Sequence, residues 1–166
     1  MIREATIDDV EQLTNVHVLS WQSAYRGLLP DDALDSIRFQ ERIEMWRKAI
    51  CRSPSETVVA EVDSGIVGFA NFGPYRHDDG LRAGEIRAIY LLPEFWRKGI
   101  GSELLTHASE YIKDSYEQIL MWVLSSNQNA ISFYEGHGFK RDGIEKEENV
   151  WGTVVHEIRM SKTINA

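Results

Sequence analysis

Residues 85–102, EIRAIYLLPEFWRKGIGS, limit what this chain can fold into more than any other stretch. An apolar strand pattern breaks there into a basic turn with two glycines, and a helix follows whose Leu104, Leu105, Ala108, Tyr111 and Ile112 share one face. Gly99 and Gly101 permit close approach and unusual backbone dihedrals. The first-turn amides of the following helix have no partner inside it, so they point outward with the positive end of its dipole. The junction reads as an anion cradle.

The rest of the chain alternates in the same way. Thr6 with Asp9 is a capping signal, and Val10, Leu13, Val16 or His17, and Ser20 or Trp21 follow at helical spacing, so a first helix should start near Ile7. A break at residues 27–30 leads into a second helical region, with Phe39, Ile43, Trp46 and Ile50 as its apolar stripe. Residues 57–62 and 66–72, joined by Asp63, Ser64 and Gly65, read as a hairpin, and polar residues 76–84 as an exposed loop. Residues 119–124 form a nearly all-apolar run of strand length, as expected for a strand covered on both faces. Residues 129–138 read as a short helix stopped by Gly138, then closing strands from Phe139 and over 153–160, with acidic residues 145–148 as a solvated hairpin tip. This order predicts an α/β fold, a mixed central sheet with helices on both faces. With 166 residues, 43% of them hydrophobic, the chain can close one core and is short for two, so one domain spanning 1–166 is expected.

The net charge of −8 argues against generic nucleic-acid binding and slightly favours a cationic partner. The longest apolar stretch, 119–124, falls well short of the roughly 20 residues of a membrane helix, and Met1-Ile2-Arg3-Glu4 has no signal-peptide core. A soluble, cytoplasmic protein with no membrane partner is the expectation. The single cysteine, Cys51, rules out an intramolecular disulfide and is expected to pack rather than react. The five histidines lack metal-ligand spacing, so no metal is expected.

The glycine turn has neither the lysine-hydroxyl ending of a nucleotide-binding P-loop nor the third glycine of a dinucleotide fingerprint. A second block, Asn127-x-x-Ala130-x-x-Phe133-Tyr134-Glu135-x-x-Gly138-Phe139, comes after the next strand. In order and spacing the two blocks resemble the acetyl-CoA-binding core of the GCN5-related N-acetyltransferase superfamily, over residues 85–139. The segment holding His17, Trp21, Ala24, Tyr25, Arg26, Gly27 and Pro30 resembles a bacterial subgroup of that superfamily with undefined acceptors.

The resemblance implies acetyl transfer from acetyl-CoA to a primary amine of a small molecule or peptide. It implies that Ile89, Tyr90 and Leu91 present strand backbone to the pantetheine arm and that the amides of Arg97, Lys98, Gly99, Ile100, Gly101 and Ser102 hold the pyrophosphate. Trp96 departs from it, because the superfamily usually has Gln or Arg there; it should alter affinity rather than abolish binding, since amides supply most of the cradle and Arg97 and Lys98 add positive charge. Asn127 and Ala130 match cofactor contacts near the second helix, and Asn127 also suits an N-cap.

An alkyl amine resembles lysine, with a pKa of about 10.4, so its nucleophilic form lies about 4.6 kcal/mol uphill at pH 7. Glu85 resembles the superfamily's general base, often acting through water; its plainer reading is a solvated strand-end acid. Tyr134 matches the general acid, since a phenol near pKa 10 lies in the range to protonate a thiolate whose thiol has a pKa of about 8.5, although aromatics at this spacing also build cores. The strand amide near Leu91 would polarise the thioester carbonyl. Trp21, Tyr25 and Arg26 are candidates for the acceptor side, along with the early helices at about 7–50, and equally suit a packed helix end. Asp31, Asp32 and Glu85 would suit a cationic amine. A homodimer is expected from the resemblance alone. The competing reading is a CoA-binding regulatory or interaction protein without turnover.

Overall fold

The computed structural model describes residues 1–77, 79–150 and 152–164. Strand β1 (Ile2–Glu4) leads through a 3-10 turn at Ile7–Asp9 into helix α1 (Val10–Tyr25). The capping pair forms as the spacing predicts: Asp9 Oδ2 accepts from the Thr6 amide at 2.7 Å and its hydroxyl at 3.0 Å. Val10, Leu13 and Val16 then turn inward at helical spacing. A short helix not foreseen from the pattern, α2 (Asp31–Asp35), precedes α3 (Phe39–Arg52), which buries Ile43, Trp46 and Ile50.

The sheet comprises β1, β2 (Thr57–Val62), β3 (Gly65–Pro74), β4 (Gly84–Leu91), β5 (Gln118–Leu124), β6 (Lys140–Val150) and β7 (Thr153–Thr163), in the order β1-β2-β3-β4-β5-β7-β6. Helix α4 (Ile100–Lys113) crosses from β4 to β5, and α5 (Gln128–Gly136) follows β5. On one face α4 and α5 pack Leu104, Ala108, Ile112 and Ile131 against Phe72, Ile86 and Met121. On the other, α1 and α3 pack Leu13, Val16, Ile43 and Trp46 against Val59 and Phe69. The expected mixed sheet with helices on both faces is therefore present.

One irregularity positions the site. β4 and β5 are the parallel pair, and they register only at Gly84↔Ile119 and Glu85↔Leu120. On its other side β4 shifts register against β3, where Asn71↔Ala88 is followed by Phe72↔Ile86 and Arg87 is left as the extra residue. Such a bulge bends a strand and raises its twist, here just where β4 leaves β5. β5 continues along β7 over its full length, so a splay opens beside residues 86–91 of β4.

Several local expectations are corrected. Residues 145–148 are not a hairpin tip but lie within β6, with Lys146 opposite Glu157 and Glu148 opposite Val155. β6 ends the sheet order, and charge on an edge strand blocks further pairing, so the acidic run gives a poor strand signal for a physical reason. Cys51 is exposed rather than packed, because Ile43, Trp46 and Ile50 take the inward positions of α3. Tyr111 is 41% exposed on the flank of α4, and Phe39 is 42% exposed at the first residue of α3. Ala83 and Gly84, at the end of the loop expected to be exposed, are buried.

Candidate active site

The cradle begins at the open edge of β4. The Leu92 amide donates to Val67 O on β3 at 2.9 Å, so strand alternation turns the N–H and C=O of Leu91 and Ile89 toward the splay. By the same alternation the backbone groups of Tyr90 face β3, and this residue offers the site its side chain. A 3-10 turn at Pro93–Phe95 follows β4, and Trp96 Nε1 reaches back to donate to Leu91 O at 2.7 Å. Arg97 then adopts φ 60°, the one left-handed non-glycine among the described residues, and Gly99 has φ 85° as the N-cap of α4. Left-handed residues ahead of a helix gather successive amides into a concave anion nest. A Cβ added at Gly101 would meet only Phe133, at 3.6 Å, an ordinary contact. Internal packing does not demand glycine there; a group seated on the amides would. The donor set and the open space fit a pyrophosphate.

Helix α5 closes that side. Asn127 caps it, its Oδ1 accepting from the Ala130 amide at 3.2 Å. His137, which sequence reasoning missed, donates from Nδ1 to Phe133 O at 2.7 Å, and its Nε2 lies 3.0 Å from Ser102 Oγ. The start of α4 is thereby tied to the end of α5.

On the opposite face the last turn of α1 brings Tyr25 to β4, where its hydroxyl lies 3.2 Å from that of Tyr90. Trp21 packs on Tyr25 with ring centroids 4.5 Å apart. His17 stacks on Tyr90 at 5.6 Å, and its Nδ1 accepts from Trp46 Nε1 at 3.0 Å, which leaves the proton of the neutral ring on Nε2. Burial lowers the His17 pKa to about 4, and the nearby Arg42 charge acts in the same direction. Tyr134 packs with the α4/α5 cluster, yet its phenol lies close enough to Tyr25 and Tyr90 for each to be felt electrostatically. Burial pushes all three phenols up from their ordinary value. Tyr25 and Tyr90 thus share a hydroxyl contact on one face of the sheet, and Tyr134, on the other, lies near enough to be felt by both. Arg26 differs: its guanidinium pairs with Asp31 and Asp35, each at 3.0 Å, on the exposed side.

Glu85 is not a solvated acid. It is 2% exposed, at the last paired position before the splay. Arg76 Nε donates to its Oε2 at 2.9 Å, Nη2 to Oε1 at 3.0 Å, and the Arg76 amide to Oε2 at 3.3 Å. Arg87 Nε lies a further 4.0 Å away. The loop carrying Arg76 is itself anchored, since the buried Arg159 donates to Tyr75 Oη at 3.2 Å, Asp79 at 2.9 Å and Asp142 at 2.6 Å. Nothing local in the sequence marks Arg76 or Arg159, whereas Arg97 is already a cradle residue and only its left-handed backbone is unforeseen.

Comparison with known proteins accords with this geometry. The profile of the Acetyltransferase (GNAT) family matches residues 14–139. The chain is 35% identical to the uncharacterized N-acetyltransferase YuaI of Bacillus subtilis, over 84% of this chain and 80% of that protein. It is 30% identical to the spermidine N(1)-acetyltransferase of Thermoplasma acidophilum, over 84% of this chain and 87% of that one. The crystal structure of the PaiA N-acetyltransferase from Thermoplasma acidophilum, in complex with coenzyme A, superposes with a TM-score of 0.80 at 26% identity, covering 98% of each chain.

Proposed function

The chain belongs to the acetyltransferase (GNAT) family and is an acetyl-CoA-dependent N-acetyltransferase, and from that premise we propose which of its residues do the work and what amine it serves. Acetyl-CoA supplies the activated acyl group. Everything else falls to the chain. The splay-facing backbone of Ile89 and Leu91 pairs with the pantetheine arm, and the amides of residues 97–102, with the Arg97 and Lys98 charges, hold the pyrophosphate. Asn127, its Oδ1 engaged by Ala130, keeps its amide N–H groups for the cofactor. The Leu91 amide polarises the thioester carbonyl.

Tyr134 donates its proton to the departing thiolate. The observation that carries this assignment is its packing in the same α4/α5 cluster as Ile89 and Leu91 of the free β4 edge, near enough to Tyr25 and Tyr90 for their charges to be felt. Its raised phenol stays protonated throughout the pH range in which amines are acetylated, so the donor is always loaded.

Glu85 takes the amine proton through a chain of waters. Tyr90 lies five positions further along β4, about 16 Å at roughly 3.3 Å per residue, too far for direct contact with an amine at the thioester. Arg76 binds both of its oxygens, so at that distance the group able to exchange with the guanidinium is a second ammonium of the acceptor, not the reacting amine. A cationic acceptor is suited to such an exchange. The net charge of −8 and the relative named for spermidine support a small cationic amine, with Trp21 and Tyr25 on the acceptor wall. The test is thiol release from acetyl-CoA across polyamines, amino acids, aminoglycosides and peptides. Turnover concentrated on polyamines supports the reading, and turnover confined to neutral peptides refutes the acceptor class.

A further inference from the structure

Trp96 stands where this family usually carries Gln or Arg, and its single donor is already committed. The indole Nε1 donates to Leu91 O at 2.7 Å while 44% of the residue stays exposed. Leu91 is the last residue of β4, and its carbonyl is one of those that alternation turns to the open edge. Trp96 sits between the 3-10 turn at Pro93–Phe95 and the left-handed Arg97. One hydrogen bond therefore joins the strand edge that meets the pantetheine arm to the turn that meets the pyrophosphate. An indole has one N–H, against two on a Gln amide and five on Arg, so with that donor on Leu91 O none remains for a phosphate oxygen.

We propose that Trp96 is a positioning residue, a brace that fixes the span between the two halves of the coenzyme A site. The turn holds its own shape: Phe95 N donates to Leu92 O at 2.9 Å, Trp96 N to Pro93 O at 3.1 Å and Glu103 N to Gly99 O at 3.1 Å. What those bonds leave open is where the turn stands relative to Leu91, and the Trp96 indole bond sets that. The brace also takes Leu91 O out of pairing with the pantetheine arm, leaving Leu91 N–H and both groups of Ile89 on that edge. This inference rests on the cofactor site above and needs no assumption about the acceptor.

A ligand that spans both halves feels the brace, and a ligand that fills one half does not. Calorimetric titration of the wild type and Trp96→Phe with coenzyme A, and with 3′-phospho-ADP, which carries the pyrophosphate without the pantetheine arm, separates the cases. The brace predicts coenzyme A binding about 10-fold weaker in Trp96→Phe, the worth of one hydrogen bond, with 3′-phospho-ADP unchanged. Equal weakening of both ligands would mean a local phosphate contact, and no weakening of either would mean an idle side chain; both overturn the proposal. Absence of coenzyme A binding to the wild type would instead refute the site itself. A second readout is the Trp96 indole N–H in NMR, identified by its loss in Trp96→Phe. Slow exchange with solvent is expected of a bonded donor, and exchange at the rate of a free indole would sink the brace.

Discussion

Arg76 grips Glu85 with two parallel hydrogen bonds, Nε to Oε2 at 2.9 Å and Nη2 to Oε1 at 3.0 Å, at the point where β4 parts from β5. The two ends of this pair differ in exposure, with the Glu85 side chain 3% accessible and that of Arg76 58%. The carboxylate is fixed and the guanidinium is the partner able to leave. In the proposed mechanism, competition between Arg76 and an acceptor's cation would be part of acceptor binding.

Arg76→Ala should lower the KM for a polyamine several-fold, because its second ammonium no longer competes with a resident cation. The melting temperature should fall modestly, since a charged hydrogen bond to a nearly buried carboxylate contributes about 1.5–3 kcal/mol before solvent screening of the exposed partner reduces it. Glu85→Gln keeps the shape, removes the base and should cut kcat by about 100-fold. Steady-state kinetics with calorimetric coenzyme A binding as the control checks both, and an unchanged kcat in Glu85→Gln would remove Glu85 from the chemistry.

Tyr134→Phe should lower kcat by about 100-fold at every pH, because the phenol is raised and no pH in the working range unloads it. Tyr25→Phe removes the hydroxyl 3.2 Å from that of Tyr90 and leaves the Trp21 ring contact in place. Its effect should appear in acceptor KM, with the coenzyme A dissociation constant unaltered. Equal losses in both constants would show that Tyr25 supports the fold of the site rather than one wall of it.

Gly101→Ala tests the cradle without touching the core. The added Cβ meets Phe133 at an ordinary 3.6 Å, so the melting temperature should hold, while coenzyme A affinity should drop about 10-fold as the methyl group intrudes on the amides. Arg97→Gly works in the reverse sense. Relief of the φ 60° backbone should stabilise the fold by about 1 kcal/mol, and affinity should fall with the lost charge and preset turn. Thermal melts and titration on the same samples read both effects.

The elements were legible because they obey their periods. Leu13, Ile43 and Leu104 sit on helical stripes that meet the sheet, and the apolar 119–124 run is a strand covered on both faces. β6 was misread because an edge strand carries charge where the pattern expects an apolar face. In the site, the glycine turn could be read from spacing, since the chemistry of amides depends on backbone alone. The partners of Glu85 and Trp96 could not, because Arg76 reaches its carboxylate across a loop pinned by Arg159, and Trp96 bends back five residues to a carbonyl. Both depend on rotamers and turn geometry that no local pattern encodes. The tyrosines are intermediate: each residue was a candidate, but only the fold sets the Tyr25 and Tyr90 hydroxyls 3.2 Å apart with Tyr134 nearby.

Acid should destabilise the protein in two separable steps. Burial, aided by the Arg42 charge, lowers His17 to about 4 from 6.5, so between those values the unfolded chain takes up a proton that the native state refuses. Stability is therefore full above pH 6.5 and falls as pH drops toward 4, by up to about 3 kcal/mol at 1.36 kcal/mol per unit. Hydrogen bonding from Arg3 holds Asp9 at about 2 rather than 3.8, so its contribution is present above pH 3.8 and is lost only below that. The window between pH 6.5 and 4.5 belongs to His17. There the melting temperature should fall by about 5–10 °C for a chain of this size. In His17→Gln the amide oxygen can still accept from Trp46 Nε1 but nothing titrates, so its melting temperature should be nearly flat over that window. A slope equal to that of the wild type would show that another group drives the acid transition.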